Sequence, residues 1–66
     1  MVRKTKADAE QTRQLLIAAA REMFHRCGVS RTSLEKIAAQ AGVTRGAVYW
    51  HFASKSELFN AMWEEQ

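Results

Sequence analysis

Thr32–Phe59 reads TSLEKIAAQAGVTRGAVYWHFASKSELF, and its punctuation decides the fold. Thr32 followed three residues later by Glu35 makes a capping box, which predicts a helix opening at Thr32, with Ser33 the weaker candidate for the cap. Leu34, Ile37, Ala38 and Ala41 then share one face, and Gly42 ends the helix. Thr44 is placed to cap a third helix running to about His51 or Phe52. Ser54 with Glu57 forms another capping box, opening a fourth helix whose apolar positions are Leu58, Phe59, Met62 and Trp63. Helices as short as the second and third are unstable alone, so they must pack at a steep angle against a longer partner. Ala38 is small enough for a close crossing, Gly42 supplies a positive φ at the turn, and Val48 is placed to plug the angle between the two helices.

The longer partner precedes them. From Thr5 to Cys27, Leu16, Ile17, Ala20, Met23, Phe24 and Cys27 recur at three- and four-residue steps, the mark of a helix with one face turned inward. His25 and Arg26 sit in its last turn, where a cation is favoured, and Gly28 follows as a left-handed cap. The expected fold is therefore all-α: a three-helix bundle whose second and third helices form a helix-turn-helix, plus the start of a fourth helix. Nothing in the sequence stops that fourth helix before Gln66. Residues 1–66 are accordingly expected to be a single helix-turn-helix domain cut from a longer protein, with the missing part C-terminal.

Composition narrows the partner. A chain of 66 residues allows one domain, burying about 60% of the surface its unfolded form would expose. With 47% hydrophobic and 26% charged residues, its apolar positions are too interrupted by charge to cross a membrane. The basic opening, Met1 to Lys6, is followed by no apolar run, so no secretory signal is read and a cytoplasmic location is expected. The single cysteine, Cys27, agrees with a reducing compartment and is expected to pack in the core. The net charge is +3, but all ten Lys and Arg lie within the first 55 residues, opposed there only by Asp8, Glu10, Glu22 and Glu35. That balance favours a polyanion, although an acidic membrane surface would satisfy it too. No acid pair, nucleophile with base, phosphate loop or cofactor motif suggests an enzyme. His25, Cys27 and His51 do not make a metal site, since structural zinc needs about four ligands at recognisable spacing.

The third helix breaks local rules. Arg45 lies in its first turn, where a cation opposes the helix dipole at about 0.3–1 kcal/mol, and Gly46 costs about 1 kcal/mol against alanine. With Val48 and Phe52 on the buried stripe, Gly46 and Trp50 point nearly opposite, flanked by Ala47 and Tyr49. A DNA major groove accounts for all of these features: it admits a helix, favours small residues where the backbone approaches, and rewards a guanidinium that forks onto guanine. Plainer readings stand beside this one. Arg45 could contact phosphate or be a solvated charge, Tyr49 could be partly buried with its hydroxyl exposed, and Trp50 could be a core aromatic. His51 could serve only the last turn of its helix, and Lys55 could be solvated. Arg3, Lys4 and Lys6 read as a basic tail or as an arm touching DNA, and Arg13, Arg21 and Lys36 as surface charges.

Thr32–Phe59 resembles the DNA-binding region of the tetracycline-repressor family, TetR/AcrR, and the opening VRKTKADAEQTRQ with the run GVTRGAVYWHF is similar to regulators of multidrug efflux pumps. The resemblance implies a repressor that binds a palindromic operator as a homodimer and is released by a lipophilic effector. It further implies that effector pocket and dimer interface belong to a C-terminal domain outside this chain, so that DNA binding without ligand sensing is expected, with no cofactor. By position it implies base-edge contacts from Thr44, Arg45, Gly46 and Ala47, and phosphate contacts from Tyr49, Trp50, His51 and Lys55. The helix starts at Thr32 or Ser33 and at Ser54 would offer backbone donors to phosphate. Leu34 and Glu35 receive no role. The competing class is a basic helical module for a protein groove or anionic lipid, which would need neither Arg45 nor Gly46.

Overall fold

The computed structural model describes residues 6–64, with side chains from residue 8 onward. Four helices follow one another: α1 Lys6–Cys27, α2 Leu34–Ala41, α3 Arg45–His51 and α4 Lys55–Glu64. There is no strand among the described residues. The expected start of α1 at Thr5, the side chains of Arg3, Lys4 and Lys6, and the run of α4 into Gln66 lie outside them.

Both glycine stops behave as read. Gly28 and Gly42 have φ of 86° and 76°, a region open to glycine and strained for residues with a Cβ. At the end of α2 the N–H of Gly42 donates to Ala39 and that of Val43 to Ala38, the paired bonds of a Schellman turn that satisfy carbonyls the helix leaves open. Thr44 caps α3 by accepting from the Ala47 N–H at 3.1 Å. Ser54 accepts from Glu57 N–H at 3.3 Å, and the Glu57 carboxylate takes the N–H of Ala53 at 3.1 Å, one residue ahead of the N–H a capping box would use.

The start of α2 differs from the reading by one residue. Ser33 is the cap, extended at φ −123° and ψ 161°, with its hydroxyl oxygen accepting from the Lys36 N–H. Thr32 is only 2% exposed, and its hydroxyl donates to the Gly28 carbonyl at 2.8 Å, with the Met23 carbonyl at 3.4 Å. Thr32 thus serves carbonyls in the last turn of α1 and just past it rather than the open N–H groups of α2.

α1 packs on both α2 and α4, while α3 is held against α2. The core is one cluster, with Leu16, Ile17, Ala20, Met23 and Phe24 from α1 meeting Ile37 and Ala38, Val48 and Phe52, and Leu58 and Ala61. Val48 is fully buried and fills the angle between α2 and α3 as its spacing required. Cys27 is partly buried against the same cluster. Arg13 is more than a surface charge: its guanidinium lies 5.5 Å from the centre of the Phe52 ring, a cation over an aromatic face that tethers α1 to the end of α3.

Candidate nucleic-acid interface

Because Val48 and Phe52 anchor the inner stripe of α3, its other side faces solvent. Trp50 is 74% exposed and Tyr49 50%, so neither is a core aromatic. Arg45 and Gly46 are exposed, and Ala47 and His51 half-buried. Thr44, Gly46, Ala47, Trp50 and His51 line a shallow hollow of about 290 Å³. The Trp50 and His51 rings, both lining the hollow, meet edge to face with 4.8 Å between centres.

Gly46 is the informative position. A Cβ built there would meet nothing nearer than the Thr44 hydroxyl at 3.9 Å, so packing within the chain does not require glycine. The residue weakens a seven-residue helix while keeping its outer surface bare, as close approach by a partner would demand.

Two side-chain contacts gather the helix starts around this face. Arg45, opening α3, donates through Nη1 to Glu35 Oε2 in the first turn of α2 at 2.7 Å. Lys55, opening α4, donates through Nζ to the Val29 and Thr32 carbonyls at 2.6 and 2.8 Å, just before α2. The N-terminal ends of α2, α3 and α4 are thereby tied to one another, and each carries the positive end of its helix dipole. Arg31 and Lys36 add exposed basic groups nearby in sequence, Lys36 reaching the Arg31 carbonyl at 3.2 Å.

The same contacts involve three of the expected site residues. Lys55 is not a solvated charge: it is half-buried and clamps the α1–α2 loop. Thr32 has its hydroxyl turned inward, and half-buried Ser33 is the residue that caps α2. Arg45 is engaged by Glu35, a residue read only as part of a capping box and given no part in DNA contact. The available signal was opposite charge in the first turns of helices known to pack together. Thr44, Arg45, Gly46, Ala47, Tyr49, Trp50 and His51 are brought together on one helix and its cap, as read.

The clamp carries a prediction. Lys55→Met keeps the aliphatic stem but removes both charge-assisted bonds, each of a kind contributing about 1.5–3 kcal/mol when sheltered. With Lys55 only half-buried, the expected loss is about 1 kcal/mol, lowering Tm by roughly 4–8 °C in a domain of this size. A thermal melt followed by circular dichroism checks it. An unchanged Tm would return Lys55 to the role of a solvated charge.

Two short helices crossing at a tight glycine turn, the second turning Arg45, Gly46, Tyr49 and Trp50 to solvent, define a helix-turn-helix protein. The family model described as bacterial regulatory proteins, tetR family, matches residues 16–62, and the chain belongs to that family. Its relatives include the HTH-type transcriptional regulator AcrR of Shigella flexneri, 56% identical over 97% of this chain and 30% of that protein. The probable acrEF/envCD operon repressor of Escherichia coli K12 is 54% identical over 100% of this chain and 30% of its own length. Among solved structures, NalD of Pseudomonas aeruginosa, the secondary repressor of the MexAB-OprM multidrug efflux pump, superposes with a TM-score of 0.86 at 59% identity, covering 88% of this chain and 29% of NalD. The chain therefore spans about 30% of the length of these two regulators. The family is one of regulators, not of catalysts. No described helix is long and apolar enough to cross a membrane.

Proposed function

We propose that this chain reads DNA sequence as the operator-binding part of a bacterial repressor of a multidrug efflux operon, with α3 lying in the major groove. The observation that carries the proposal is Gly46. It is a residue the fold does not need, set on the exposed face of a helix between a guanidinium and two exposed aromatic rings. Arg45 is suited to fork onto the O6 and N7 of guanine, while Gly46 and Ala47 let the backbone approach the base edges and Thr44 closes that row at the helix start. Tyr49, Trp50 and His51 flank this row and would contact phosphates and sugars. The backbone N–H groups at Ser33 and Ser54 would receive further phosphates, drawn by the helix ends.

The whole regulator is proposed to act in the bacterial cytoplasm as a homodimer on a two-fold-related operator, with a lipophilic effector sensed by sequence outside the span of this chain. The support is the likeness to longer repressors of efflux systems. A single reading head touching roughly 4–5 phosphates should show a log affinity against log salt slope of about −4.

Selection from a pool of randomised duplexes tests the proposal. Repeated rounds at moderate salt should enrich a common half-site containing a guanine, and the enriched duplex should be bound more tightly than a scrambled one of the same composition. A pool that stays random, with binding governed by salt alone, would reduce the chain to a basic surface and favour a lipid or protein partner.

A further inference from the structure

Arg45 has four rotatable side-chain bonds and stands 65% exposed. A guanidinium so placed would sweep across neighbouring phosphates as readily as base edges, because both are strong acceptors. Among its described contacts, the only charge-assisted one is the 2.7 Å bond from Nη1 to Glu35 Oε2. Glu35 is well placed to hold it: it lies in the first turn of α2, where the helix dipole favours a carboxylate, and reaches across the turn to a cation in the first turn of α3, where the dipole opposes one. The bond to one carboxylate oxygen engages one N–H of a group carrying five in a rigid plane, so a pair of parallel donors remains for a base. Glu35 is itself 59% exposed, and an acid on the face offered to a polyanion weakens attraction to DNA of any sequence. A residue serving only affinity would not be acidic here.

We infer that Glu35 is a specificity-determining residue that acts through Arg45, holding its guanidinium in a base-reading position and away from the phosphates. The inference rests on the DNA-binding reading above. It adds to that reading a second residue, on the preceding helix, that sets how well sequence is discriminated while making affinity worse. Glu35 is a positioning residue: it need not touch DNA.

The test compares anisotropy of a labelled duplex selected by the wild-type chain with that of its scrambled counterpart. Glu35→Ala should raise affinity for the scrambled duplex by about two- to three-fold, through loss of one repelling charge. It should also lower the ratio of selected to scrambled affinity by about five- to ten-fold, part of what a bidentate guanine contact supplies. Glu35→Gln removes the charge but keeps an acceptor for Nη1. It should show the same rise on the scrambled duplex with a smaller fall in the ratio. In an Arg45→Ala background, Glu35→Ala should leave the ratio unchanged, which a general disturbance of α2 would not do; thermal melts of all variants check that folding is retained. A ratio that stays constant in Glu35→Ala, with both affinities rising together, overturns the inference and leaves Glu35 a mere repelling charge. A ratio that rises overturns it in the other direction, making Glu35 a competitor for Arg45. A wild-type chain that enriches no sequence at all removes the DNA-reading proposal itself, a result distinct from either.

Discussion

Ile37→Ala is expected to bring the domain close to unfolding. Ile37 is fully buried on α2, in the cluster that joins α1 to the reading helix, and truncating such a residue costs about 2–5 kcal/mol through lost burial and the cavity left behind. A chain of this length has roughly 3–10 kcal/mol of stability in all, so Tm should fall by more than about 10 °C and α2 should carry α3 with it. Urea unfolding should show a lower midpoint with the slope little changed. Leu15→Ala, at a position 49% exposed on α1, is the matched control and should shift Tm by only a few degrees. Equal effects at the two sites would mean that the inner face of α2 is not what holds the helix pair in place.

The second large effect falls on recognition. Arg45→Ala should remove about 1–3 kcal/mol of base discrimination, roughly a 5- to 150-fold fall in the ratio of selected to scrambled binding. Absolute affinity is the poorer readout, since the variant also leaves Glu35 as an unpaired acid facing the DNA and lowers binding to both duplexes. Arg45→Lys separates the contributions. It keeps the charge but loses the planar fork, so affinity for the scrambled duplex should hold while the ratio falls nearly as far as in the alanine variant. If Arg45→Ala lowered both affinities equally and left the ratio intact, Arg45 would be a phosphate contact and base reading would have to come from elsewhere on α3.

Most of the fold is legible in Thr32–Phe59 because its signals are local. Gly42 must take a positive φ, Thr44 and Ser54 must meet open N–H groups a few residues ahead, and Ile37 and Val48 fall on faces fixed by helical periodicity. The exposed side of α3 follows from the same periodicity, so Arg45, Gly46 and Trp50 could be placed together before any contact was seen. The misreadings arise where a side chain is recruited by a partner outside the helix it was read into. The Thr32 and Glu35 pattern points one residue early because the Thr32 hydroxyl is taken by carbonyls at the end of α1 and Glu35 is taken by Arg45. The Glu35 contact joins two helices, while Thr32 reaches back only four residues to Gly28 and nine to Met23. Lys55 bonds backbone carbonyls that any residues would provide, so nothing in the identity of Val29 or Thr32 announces the clamp. Arg13 meets Phe52 across 39 positions of chain, and periodicity alone leaves it on the surface.

The central claim is that the outer face of α3 is the surface that meets base edges, and amide chemical shifts of an isotope-labelled chain titrated with the selected duplex test it most directly. The largest changes should fall on Thr44 to Trp50, with smaller ones at the helix starts near Ser33 and Ser54 and little change at Leu15 and Ala18 on α1. Shifts centred on α1 or on Trp63, with Gly46 and Trp50 unmoved, would contradict it.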